Sequence, residues 1–200
     1  MSDPKPGIAL NTLAVLSQMS VDELKAIVDA KMPDFQGFTI GDFVLDGPYL
    51  PGAFPASAAL KIEVARQLSD NSGLPLLESL RIVSYTGAVD HYDRYDCKSA
   101  LNDKAADLWM AIVGARNTWG GDEPRRGSIE VTNFGPTEFW STAHYKGSFA
   151  FVTDSILERM TRESLDYPDA DVARVFMANV SAADRRLRKR AAELGIEIGG

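Results

Sequence analysis

Residues 12–28 read Thr-Leu-Ala-Val-Leu-Ser-Gln-Met-Ser-Val-Asp-Glu-Leu-Lys-Ala-Ile-Val. Leu13, Leu16, Met19, Val21, Leu24, Ile27 and Val28 recur at the spacing that gathers one face of a helix. Ser20-Val-Asp-Glu23 has the form of a capping box, in which a serine hydroxyl and a glutamate carboxylate bond each other's backbone amides and start a helix. The stretch is therefore read as two short helices meeting at a tight turn, with those seven apolar residues facing inward.

Working outward, Phe38-Thr-Ile-Gly-Asp-Phe-Val-Leu45 looks like a short strand or hairpin. Residues 46–56 are too rich in Pro and Gly for either element and read as a linker. Ser57 is positioned to cap a helix carrying Leu60, Val64 and Leu68 at four-residue spacing, which Gly73 ends. Pro75 suits the first turn of a second helix with Leu76, Leu77, Leu80 and Val83 on its buried side, and Gly87 stops it. So short a connection implies an antiparallel helical hairpin or a second crossed pair.

Farther on, a helix is expected over Ser99–Ala115, with Leu101, Ala105, Leu108, Trp109 and Ile112 inward, ended by the Gly120–Pro124 loop. Apolar alternation then marks three antiparallel strands, at Ile129–Val131, Phe139–Tyr145 and Phe149–Val152. Helices at Asp154–Ser164 and Asp169–Val180 are expected to cover one face, because a lone meander is marginal. The expected fold is α+β: mainly helical, with a small three-stranded antiparallel sheet in the C-terminal half. It divides into a helix-turn-helix-like unit over residues 1–50 and a helical domain with the sheet over 51–200, or forms one domain.

Composition bounds the rest. The 200 residues are 45% hydrophobic and 24% charged, ordinary for a globular chain. No apolar run approaches the 18 to 20 residues of a membrane span, and the first residues lack a signal-peptide core, so no membrane partner and a cytoplasmic location are expected. The single cysteine, Cys97, excludes an intrachain disulfide and a multi-cysteine zinc site. A net charge of −7 opposes nonspecific nucleic-acid binding. The charge is uneven, since Arg185, Arg186, Arg188, Lys189 and Arg190 fall within one short stretch. Either these form the solvated face of a helix begun by a capping-box-like Ser181-Ala-Ala-Asp184, with Leu187, Ala191 and Leu194 buried, or they meet phosphate or an acidic patch on a partner.

The densest chemistry-bearing cluster is Asp90-His91-Tyr92-Asp93-Arg94-Tyr95-Asp96-Cys97. It has no second His or Cys at ligand spacing, so neither a metal nor a cofactor is assigned. Cys97 with His144 would be the enzyme version of these residues, and Cys97 as a small buried apolar group is the plain one. Mixed charges at Asp122, Glu123, Arg125 and Arg126 read as loop decoration. Phe134, Phe139, Trp140, Tyr145, Phe149 and Phe151 crowd the strands, which makes His91, Trp140 and His144 the candidate ligand pocket. Phosphate-loop, serine-elbow and His-Glu-x-x-His signatures are missing, so no catalytic residue is assigned.

Leu13–Val28 resembles the helix-turn-helix of bacterial and phage regulators. With the segment that follows it, the layout is similar to the winged, MerR-like one, although Met19 stands where many members have Gly. The resemblance implies DNA binding by the second helix in the major groove and a role in transcription regulation. Lys25 and Lys31 are then the nearest basic contacts, and Arg185, Arg186, Arg188, Lys189 and Arg190 supply phosphate binding, across a homodimer if need be. Against this, the second helix's outer face holds Asp22, Glu23, Lys25, Ala26, Asp29 and Ala30. The leading expectation is a noncatalytic regulator or interaction protein, with DNA or a protein as partner. The alternatives are an enzyme or ligand-binding domain using His91–Cys97 and His144, and a structural assembly protein.

Overall fold

The computed structural model describes residues 7–32, 37–45, 47, 53–90, 107–117, 139–166 and 170–198. Strand β1 (Ile8–Ala9) leads directly into α1 (Leu10–Leu16) and then α2 (Val21–Val28), so the two expected helices are present. Leu13, Leu16 and Leu24 are fully buried, and Met19, Ile27 and Val28 are partly so. Val21 instead faces solvent, because as the first residue of α2 it precedes the stripe that Leu24 leads.

Phe38–Leu45 is not a strand. Only Thr39 bridges Lys31, and Ile40–Phe43 forms α3, opened by a Thr39–Asp42 capping box. Thr39-x-x-Asp42 carries the overlooked start signal. Within the expected linker, Ala53–Phe54 forms β2 and pairs antiparallel with β1. Helices α4 (Ala56–Ser72) and α5 (Leu76–Thr86) follow as read, each ended by a left-handed glycine, Gly73 and Gly87. Pro55 rather than Ser57 holds the N-cap position of α4.

The larger sheet has three antiparallel-paired strands in the order β4-β3-β5, formed by β3 (Trp109–Asn117), β4 (Phe139–Gly147) and β5 (Ala170–Asn179). The fold class is thus α+β with a three-stranded sheet in the C-terminal half; of the two expected strands among the described residues, Phe139–Tyr145 belongs to it and Phe149–Val152 does not. Residues 109–115, read as helix, are the central strand; 99–106 lie outside the described residues, as do Ile129–Val131 and the Gly120–Pro124 loop. Met110, Ala111, Ile112 and Val113 are all buried, because helices cover both faces. A strand buried on both sides shows no alternation. Asp169–Val180, also read as helix, is almost entirely β5, paired to β3 with one register shift at Gly114/Ala115.

Phe149–Val152, read as strand, is the first turn of α6 (Phe149–Asp166). The Ser148 hydroxyl accepts from the Phe151 amide at 3.3 Å, an N-cap just after Gly147. Helix α6 carries the chain from β4 to β5, which flank β3 and run parallel to each other. It lays Val152 and Ile156 on Ala111 and Val113. The opposite face, through Met110, Phe176 and Ala178, joins a core that extends from Ile8, Leu13 and Leu24 through Leu60, Val64 and Leu80 to Leu187 and Ala191. The last helix, α7 (Val180–Glu193), completes it. No helix among the described residues is long and apolar enough to cross a membrane.

Candidate functional site

The candidate site is built around the turn between α1 and α2. A helix end leaves carbonyls without intrahelical partners. Here the Gln18 amide donates to the Val15 carbonyl (3.1 Å) and the Met19 amide to that of Ala14 (3.0 Å). Those two bonds define a Schellman turn, whose left-handed residue is Gln18, at φ 52°. Met19, where a Gly was missed on the sequence, only packs its side chain on the core.

Two carbonyls remain, and arginines from distant helices take them. Arg190 Nη1 of α7 donates to the Leu16 carbonyl, and Arg66 Nη1 of α4 to that of Ser17. The same Arg190 nitrogen donates to Glu63 Oε2 at 3.1 Å, while Glu63 Oε1 accepts from Arg186 Nε at 2.9 Å. Glu63 is nearly buried on α4, one helical turn before Arg66. All four final carbonyls of α1 are thus bonded, and two guanidinium groups lie against the negative end of its dipole.

Helix α2 leaves this turn with its cap as read. The Glu23 amide donates to Ser20 Oγ at 3.1 Å, and the Ser20 amide to Glu23 Oε2 at 2.8 Å. The Ser20 backbone amide, then its hydroxyl, hold the Glu23 carboxyl below the usual carboxylate range. Val21, Asp22, Glu23, Lys25 and Ala26 are exposed and Leu24 alone is fully buried. Lys25 and Lys31 are exposed, as are Asp22 and Asp29.

The basic stretch of α7 is closed largely on carboxylates of its own chain. Arg185 grips the buried Asp107 through both terminal nitrogens, at 2.6 and 2.7 Å, and Asn179 Nδ2 donates to the same carboxylate at 2.7 Å. Arg188 bonds Asp184 at 2.9 Å, and the open Lys189 stands 3.9 Å from Glu193. The expected Ser181–Asp184 cap is replaced. Asn179 Oδ1 accepts from the Ala182 amide at 2.8 Å, whereas Ser181 Oγ accepts from the Leu108 amide at 2.9 Å. Leu187 and Ala191 are buried, but Leu194 lies past the helix end and is exposed.

The structure therefore brings Arg190 to the helix pair and carries Arg185 to the start of β3. Sequence reasoning missed Glu63, Arg66 and Asp107, whose only signals were charges inside apolar segments. His91 and Cys97 lie outside the described residues. Trp140 and His144 stand on β4 opposite Arg116 and Ile112. Among the described residues, no group of three His, Cys, Asp or Glu is placed to hold a metal. Comparison with family models, curated proteins and solved structures finds no match.

Proposed function

We propose that this protein is a regulatory interaction protein whose helix-turn-helix-like N-terminal pair presents α2 to a protein partner. The observation that carries this reading is the way α2 is held: broadly exposed, anchored in the core by Leu24, and leaving a turn in which the four final carbonyls of α1 are bonded. An element ordered before binding loses little conformational entropy on docking. The acidic surface at Asp22, Glu23 and Asp29 favours a basic partner surface. It disfavours duplex DNA, whose phosphates need Lys and Arg, and the α7 arginines already bond Asp107, Glu63 and Asp184.

A photo-crosslinking residue at Ala26, compared with one at Glu193 on α7, tests this in cells. A discrete adduct from Ala26 alone, lost on reversing Asp22 and Asp29 to Arg, is expected. Equal labelling from both sites overturns the reading. So does a salt-sensitive gel shift with random duplex that charge reversal of Arg185, Arg186 and Arg188 abolishes, which would assign DNA instead.

A further inference from the structure

We infer that Glu63, Arg66 and Arg190 form a positioning device that sets the direction of α2 and ties it to the packing of α7 on α4. Three observations combine. Gln18 occupies a left-handed conformation that disfavours a non-glycine residue, so this turn needs support from outside. The support comes from Arg66 and Arg190, which hold successive carbonyls, those of Ser17 and Leu16. Glu63 fixes Arg190, because one Arg190 nitrogen bonds both Glu63 and Leu16 and has two protons for the two acceptors.

The geometry has a direct consequence. A shift of α7 along α4 moves Arg190 away from Leu16 while Arg66 stays on Ser17, and the turn loses one of its two clamps. The end of α1 can then fray, and α2 can pivot about its Leu24 anchor while the rest of the core stays packed. Residues distant from the exposed face of α2 thereby control how it is presented. That bearing on partner binding rests on the function proposed above; the device itself follows from the contacts.

Amide hydrogen exchange on the full chain tests it, using Glu63→Gln and Arg66→Met, with Arg188→Met as a control on the same helix α7. Exchange at Gln18, Met19 and Leu24 is expected to accelerate tenfold or more in the first two variants, while Met110, Ala111 and Ala178 stay within twofold. No acceleration beyond that of Arg188→Met overturns the device. Uniform acceleration in both variants also overturns it, since the groups then only support the fold. Because Glu63 is buried and its loss can unfold the chain, Arg190→Met provides the decisive variant for the tie to α7: the same local acceleration is expected, and none beyond that of Arg188→Met overturns the tie. The readout needs no partner, so a failed crosslink at Ala26 with the local exchange effect intact would retire the proposed function and leave the device standing.

Discussion

Asp107 joins the start of β3 to the start of α7, and the substitution Asp107→Asn isolates that joint. The carboxylate has 4% of its side chain exposed and accepts two bonds from Arg185 and one from Asn179. Breaking a buried ion pair from one side costs about 3–5 kcal/mol. Arg185 keeps 25% of its side chain exposed and recovers some hydration, which places this variant at the lower end. Arg185→Met costs more, about 4 kcal/mol, because the charge left behind is the more deeply buried one. The double variant falls short of the sum by about 2 kcal/mol, as groups in contact do. In urea unfolding with a slope of about 2 kcal/mol per molar, Asp107→Asn lowers the midpoint by about 1.5 M. Losses below about 1 kcal/mol for both single variants, or additivity in the double one, would refute the assignment of this pair as a buried joint.

Three other outcomes are expected. Gln18→Gly relieves the left-handed turn and raises Tm by about 2–4 °C, measured by calorimetry, since the recovered energy is about 1 kcal/mol. Gly41→Ala would place a Cβ 2.6 Å from Val28 Cγ1 and 3.1 Å from the Val28 carbonyl; the urea midpoint should report a loss of about 1–3 kcal/mol. The lowered Glu23 carboxyl strengthens the α2 cap above the ordinary carboxylate range, and the cap weakens as pH falls through the folded-state value. An NMR titration of Glu23 should show that depressed midpoint, and Ser20→Ala should move it only part of the way back, because the backbone amide at position 20 still donates to the carboxylate.

Local signals made the helical half legible. Ser20 with Glu23, Pro75, Gly73 and Gly87 each act within a few residues, and each marks a helix boundary in the structure. The sheet was harder because its central strand is buried on both faces, which removes the period-two pattern, and because β5 acquires its extended form only by pairing with β3. The candidate site divides the same way. The helix pair and its acidic surface were readable, and so was the basic stretch of α7. The groups that absorb the basic charge were not, since Asp107 lies 78 residues from Arg185 and Glu63 lies 123 from Arg186. No periodicity reports a contact at that separation.

The bond from Arg190 to the Leu16 carbonyl spans 174 residues, and it orders events during synthesis. Helix α1 is made before α4 and α7, yet its Leu16 carbonyl lacks this partner until α7 has been translated. Long-range closures of this kind form late, after their loop entropy has been overcome. A nascent chain can coil α1 and α2 early and gain the Arg66 bond with α4, but the second clamp on the turn closes only when α7 arrives. For the display of α2 proposed above, a chain still lacking α7 would thus present that helix without its full set of clamps, and would compete poorly with one that has them.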